Sequence, residues 1–180
     1  MTLGTAPADL AACFDAFDYS ATRLEVLPAY DAPAEAESLR AFELGLPLPE
    51  RSVQTNPWLA RIQRTTAAGK SWTRTRIVGR PLTAYERYQL GYGYPASVLA
   101  GERISVADRS AFPGLAEVVR DFWLFDAETE SPFAAMMSYD EAGAWLGAEV
   151  TFDPGVIGRC KEHKRLAERY AVPLDAFPVS

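Results

Sequence analysis

Between Asp121 and Phe152 three apolar runs, DFWLFD, FAAMMSY and AWLGAEVTF, follow one another with only short polar connections. Each has the length of a strand, and the last two are joined by DEAG, which suits a type I turn closing on glycine. Connections this short join antiparallel neighbours, because a parallel return needs a crossover of a dozen residues or more. The fold class expected is therefore α+β, with a mainly antiparallel sheet of about five to six strands and helices at the N- and C-termini and between strands.

The rest of the chain is read around that sheet. PADLAACFDAF places Leu10, Cys13, Phe14 and Phe17 at helical spacing, and SATRLEVLPAY suggests a brief extended segment. DAPAEAESLRAFELG reads as a helix capped by Asp31 and stopped at Gly45, and LPLPERSVQTNP reads as a loop. WLARIQRTT and SWTRTRIVG read as two strands of a hairpin turning at Gly69. PLTAYERYQLGYGYP reads as a helix capped by Thr83 and broken by its glycines and Pro95, with a second helical turn over ASVLAG. ERISVAD is a further strand, SAFPGLAEVVRD a helix, and GRCKEHKRLAERYAVP a final helix ended by Pro173. At 180 residues one domain is expected, with a helical part over about 7–50, a sheet-rich part over about 57–153 and a C-terminal helix over about 157–171.

Composition narrows the class. Apolar residues at 48% and charged residues at 23% describe a chain that folds, not a disordered one. No apolar run approaches the roughly 18 residues of a membrane span, and the N-terminus lacks the basic flank and apolar core of a signal segment. A soluble cytoplasmic protein that does not engage membranes is expected. Cys13 and Cys160 stand far apart with no CxxC pair, so neither a disulfide framework nor a zinc site is expected, and no cofactor is indicated.

Charge is segregated along the sequence. The net charge is −6, yet from Arg61 to Tyr88 seven basic residues (Arg61, Arg64, Lys70, Arg74, Arg76, Arg80 and Arg87) face one acid, Glu86. Between Arg120 and Arg159 there is no basic residue, and eight acids fall there. As a strand, SWTRTRIVGR would send Trp72, Arg74, Arg76, Val78 and Arg80 to one side and Ser71, Thr73, Thr75 and Ile77 to the other. An indole among guanidinium groups can stack a ring while the arginines hold carboxylate or phosphate. The same alternation also suits an ordinary solvent-facing strand. The candidate contact face comprises Arg61, Arg64, Trp72, Arg74, Arg76, Arg80, Tyr85, Arg87 and Tyr88, with Tyr92 on the following helix.

Other chemistry is thinly represented. His163, the single histidine, sits among Lys161, Glu162, Lys164 and Arg165, the pattern of a wet helix face. Asp126, Glu128 and Glu130 alternate and could bind a hard cation through oxygen, but a polar turn between apolar strands explains them more simply, and no metal is expected. TAAGKS has the last residues of a phosphate loop without its upstream glycine or its following helix.

The blocks RLEVLPAY, TAAGKSWTRTRIVGRPLTAYERYQL, AGERISV, DFWLFD and MSYDEAGAWLGAE together resemble an uncharacterised actinobacterial family defined by a domain of unknown function. The likeness runs over about residues 14–170 and carries no catalytic residue set. It implies a bacterial cytosolic protein, and genes of the family often lie near helix-turn-helix regulators. The leading expectation is a non-enzymatic regulatory or protein-interaction module that meets a protein partner, such as a transcriptional regulator, through the basic aromatic hairpin. The alternatives are an enzyme acting on a small anionic ligand, with Arg74, Arg76 and Arg80 as anchors and Glu86 or Asp126 as base, or an accessory protein that binds nucleic acid. The acidic net charge disfavours the last.

Overall fold

The computed structural model describes residues 7–179. Its centre is one sheet built from β1 (Ser20–Glu25), β2 (Ser71–Val78), β3 (Arg103–Asp108), β4 (Phe122–Phe125), β5 (Phe133–Tyr139), β6 (Trp145–Thr151) and β7 (Ala171–Pro173). Across the sheet the order is β6-β5-β4-β1-β2-β3-β7. The three apolar runs form the antiparallel meander β4-β5-β6 as expected. The other half departs from expectation: β1 pairs in parallel with β2, and β2 in parallel with β3, so the α+β sheet is mixed and has seven strands. Ala21 faces Trp72 on one side and Phe125 on the other, which places β1 mid-sheet where parallel and antiparallel halves meet.

The parallel half follows from a helix where a strand was expected. After α1 (Leu10–Ala16) and α2 (Ala36–Glu43), residues Pro57–Ala67 form α3, so WLARIQRTT is not a hairpin arm. Asn56 Oδ1 accepts from the backbone N–H groups of Trp58 and Leu59, and Pro57 occupies the first turn, where its missing N–H costs nothing. Leu59 and Ile62, one turn apart, are fully buried. Gly69, at φ +92°, ends this helix and leads into β2. With its crossover supplied by helices, β2 can lie parallel to β1.

Three further expectations change. Asp31 caps no helix; it forms a parallel bridge with Ala144, while the chain enters α2 through a 3-10 turn at Pro33–Glu35. SAFPGLAEVVRD yields only a 3-10 turn, Pro113–Glu117, because Val118 returns to extended backbone. The glycines and Pro95 do not break the tyrosine-rich helix. From α4 (Ala84–Tyr88) the chain passes through a π-helical turn, Gln89–Gly93, directly into α5 (Tyr94–Ala100), with Pro95 tolerated in its first turn. Thr83 caps α4 as expected, and Glu86 returns the bond to the Thr83 N–H, completing a capping box.

Strand alternation sorts the core. Leu24, Ile77, Leu124, Ala134 and Met136 pack on one face with Ile157, Cys160 and Ala167 of α6 (Pro154–Tyr170). On the opposite face Phe17, Leu59 and Ile62 pack on Trp72, Trp123 and Phe125. Asp126 joins the halves: at φ +50° it follows β4, and its carboxylate accepts from the backbone N–H groups of Asp18, Tyr19 and Ser20 at 2.7–2.9 Å, bracing the start of β1. No described helix is long and apolar enough to cross a membrane.

Candidate functional site

On the face opposite α6, positions 23 and 25 of β1 stand beside positions 74 and 76 of β2, since Arg23 registers with Arg74 and Glu25 with Arg76. Side chains at alternate residues point the same way, so four charged groups share one small area of sheet. Over them lies a cleft of about 620 Å³, walled by the Tyr30–Glu35 segment, the α4–α5 helix and the tip of the β5–β6 hairpin. Arg23, Glu25 and Arg74 lie in its floor, with Tyr85, Gln89 and Tyr94 along one wall. Trp58, Tyr139 and Trp145 add aromatic surface, and Arg51 and Glu35 add charge.

The floor is an ion network. Arg74 Nη1 donates to Glu25 Oε1 at 2.6 Å and its Nε to Glu102 Oε1 at 2.9 Å. Arg23 Nη2 donates to Asp121 Oδ2 at 2.7 Å and to the Tyr139 hydroxyl at 2.8 Å, while Arg23 Nε lies 3.5 Å from Glu25 Oε1. Arg76, fully buried, donates through Nη2 to the Leu27 carbonyl and stands 3.9 Å from Glu86. Tyr30 donates to Asp121 at 2.6 Å, and the Tyr94 hydroxyl makes a very short bond to Glu25. Three guanidinium groups thus meet four carboxylates.

Burial opposes charge throughout, and the ion pairs answer it. For Glu25 burial pushes upward, but Arg74, Arg23 and Arg76 outweigh it and hold the carboxyl down to about 2. Burial works against the Arg23 and Arg74 cations too, and the adjacent carboxylates more than offset it, so both stay charged. Asp121 moves the other way: burial lifts it, against the pull of Arg23 and of the Tyr30 hydrogen bond. Burial also raises the Tyr30, Tyr85 and Tyr94 phenols, which stay neutral hydrogen-bond donors.

Among the described residues several guanidinium nitrogens of this network make no hydrogen bond, one of them the buried Arg76 Nε. Arg23 Nη1 is buried without a partner, and Arg74 Nη2 has no hydrogen bond although Nε and Nη1 are committed. The Arg74 side chain keeps 11% of its surface open, the only cation of the floor network above 4%.

The residues expected to form one contact face are dispersed by the fold. Trp72 is buried in the aromatic core, its Nε1 donating to Thr65 Oγ1 at 2.7 Å. Arg74 and Arg76 do point one way, but inward, and only Arg74 lines the cleft. Arg61 lies on α3 and pairs with Asp15, and Arg64 is exposed farther along that helix. Arg80 binds Asp108 and the Pro178 carbonyl beside the Phe177 ring. Tyr85 lines the cleft and donates to Glu35; Tyr88 is buried against Ser38; Tyr92 reaches the Pro49 carbonyl; Arg87 binds the Leu82 carbonyl. The hairpin reading fails because its first arm is α3.

The two carboxylates considered as bases are occupied structurally. Glu86 closes the α4 capping box, and both oxygens of Asp126 accept from backbone amides, three in all. Glu128 and Glu130 are exposed beyond it, and among the described residues no group of three or more His, Cys, Asp or Glu is placed to hold a metal ion. His163 is half-buried on α6, across the sheet from the cleft.

Arg23, Glu25, Glu102 and Asp121 were missed as site residues. Their signal was present in part: RLEV and GERISV put ionised side chains inside strand-like or strand-flanking segments, where a burying sheet demands a partner for each.

A family profile described as Domain of unknown function (DUF6879) matches residues 8–178, and the chain belongs to that family. Among curated proteins none matches it.

Proposed function

We propose that this DUF6879 member is a cytoplasmic regulatory protein that binds a small molecule in the cleft above Arg74. The observation that carries the reading is concavity. Arg74 opens into a cleft of about 620 Å³, not onto a flat wet sheet, and that volume falls within the usual range of roughly 300–1,000 Å³ for small-ligand sites. The lining combines aromatic and apolar wall with charged side chains, several of them fixed by ion pairs. Arg76 and Trp72 are not accessible to a large partner, which speaks against a broad contact face or a phosphate track on β2.

The test is a small-molecule screen by thermal shift, followed by titration of hits against the parent protein and Trp145→Ala. Trp145 is 55% exposed at the cleft, so its truncation should leave the melting temperature within about 2 °C while weakening genuine cleft ligands about tenfold or more. Hits that bind both proteins equally would remove the cleft from consideration.

A second reading keeps a protein partner but moves it. β6 is an edge strand of seven residues that exposes Trp145 and Leu146 and is followed by exposed Phe152. An apolar edge of this length invites an added strand. Partner recovery lost on Leu146→Pro, with the melting temperature retained, supports it.

A further inference from the structure

We infer that the cleft takes an aromatic zwitterion of the α-amino-acid kind, with its carboxylate on Arg51 and its ammonium on Glu35; this names a ligand class for the small-molecule reading above and rests on it. Six charged side chains line the cleft, and three of them are matched within the fold. Arg23 and Arg74 both pair with Glu25, and respectively with Asp121 and Glu102. Asp31, Glu35 and Arg51, the other three, form no ion pair among the described residues. The floor already holds more carboxylates than guanidinium groups, so Arg51 is the cation left for an anionic group.

The unmatched groups can be reached. Arg51 is half-buried and, among the described residues, makes no hydrogen bond; only its Nε is sealed, so its two terminal nitrogens meet solvent as the paired donors that a carboxylate fits. Glu35 is half-buried as well: Oε2 accepts from the Tyr85 hydroxyl at 2.6 Å, and Oε1 is neither sealed nor bonded. A neutral phenol supplies a hydrogen bond but no positive charge, so Glu35 still lacks a cation. Asp31 is exposed, and water screens it.

Glu35 and Arg51 also act around one point. Burial lifts the Tyr88 phenol, Glu35 adds to the lift and Arg51 opposes it. Yet the two form no ion pair with each other, which leaves a gap between opposite charges. An anion alone would meet Arg51 and be repelled by Glu35 and Asp31, and a cation alone would meet the reverse. A molecule carrying both charges engages both sides and brings no net charge into the cleft. Tyr30, Trp58, Tyr139 and Trp145 supply the surface for its ring.

The experiment is calorimetric titration at neutral pH of L-tryptophan, L-tyrosine and L-phenylalanine. Each is set beside its analogue without the carboxylate (tryptamine, tyramine, phenethylamine) and its analogue without the ammonium (the matching arylpropionate), on the parent protein, Arg51→Gln and Glu35→Gln. At least one amino acid should bind about tenfold or more tightly than both of its analogues. Arg51→Gln should weaken that amino acid about tenfold without weakening the amine, and Glu35→Gln should weaken it without weakening the arylpropionate. A cleft that had merely loosened would lose all three ligands together. An amine or an arylpropionate that binds as tightly as its amino acid, or amino-acid binding that ignores both substitutions, overturns this inference and leaves the cleft as a small-molecule site. No binding of any of the three amino acids also overturns it. If either variant does not fold, the comparison on the parent protein decides. The small-molecule reading falls separately, if the wider screen yields no ligand sensitive to Trp145→Ala.

Discussion

Glu25 and Arg74 meet across the β1–β2 ladder at 2.6 Å, in the floor of the cleft, with both side chains almost fully buried. Arg74 also neutralises Glu102, so one cation serves two buried anions. Arg74→Met should therefore destabilise the protein by about 3–5 kcal/mol, because it leaves the buried Glu102 without its cation and takes from Glu25 the nearest of its cations. Urea denaturation of Arg74→Met and of Arg74→Met combined with Glu102→Gln measures this. The double variant should recover part of the loss, and strict additivity of the two changes would show that the residues do not act as a unit.

Acid should loosen the protein through Glu25. Its carboxyl is held down to about 2 in the folded state, below its ordinary value of 4.5, so the unfolded chain takes up the proton first as pH falls. The stability this contributes is complete above about pH 4.5 and is lost as pH falls towards 2, on the order of 3 kcal/mol in all. Asp121, lifted by burial, has the opposite sign: it weakens the fold at neutral pH, and protonation relieves the penalty. Glu25→Gln should flatten the loss of stability between pH 4.5 and 2, measured by denaturant midpoints across that window.

Thr83→Ala should cost about 1–2 kcal/mol, because Thr83 Oγ1 accepts from the Glu86 N–H at 3.0 Å and donates to the Pro28 carbonyl at 2.7 Å. For a chain of this size that is a fall in melting temperature of roughly 2–8 °C. Thr83→Ser, which retains both bonds, should lose much less.

Gly143→Ala should open the cleft mouth. Gly143 has φ +86°, and a Cβ there would lie 2.6 Å from the Ala29 carbonyl oxygen, while the Gly143 carbonyl accepts from the Asp31 N–H at 3.0 Å. The hairpin tip would have to lift from the Ala29–Asp31 segment. The expected readout is a red-shifted emission with weaker ligand binding. An unchanged spectrum and unchanged affinity would show that the tip does not shape the cleft.

Cys13 and Cys160 should resist thiol reagents in the native protein. Both are buried, and burial pushes each thiol up to about 11, leaving little thiolate at neutral pH. Modification should follow unfolding; fast labelling of either without denaturant contradicts the burial described.

How far these features could be read in advance depended on whether their signals were local. The meander was legible because its three runs are apolar and closely spaced. The Thr83 cap was legible because Thr83 and Glu86 are three residues apart. α3 carried a local signal too, Asn56-Pro57 followed by Leu59 and Ile62, but the apparent alternation of WLARIQRTT masked it and produced a hairpin in place of a crossover. The inward direction of Arg74 and Arg76 was not legible at all. Alternation along β2 shows that they share a face, but whether that face is wet depends on Glu25, Glu86 and Glu102, which come from three other segments.

The placement of β1 bears on synthesis. Its neighbours are β2 on one side and β4 on the other, and Asp126 supplies the acceptor for the three amides that open it. A nascent chain halted after β3 would hold a parallel trio with β1 as its edge strand, the flank that β4 later covers left bare and Arg23 without Asp121. The sheet's midline closes only once Asp126 has cleared the ribosome, so most of the polypeptide waits for its last third before it can settle.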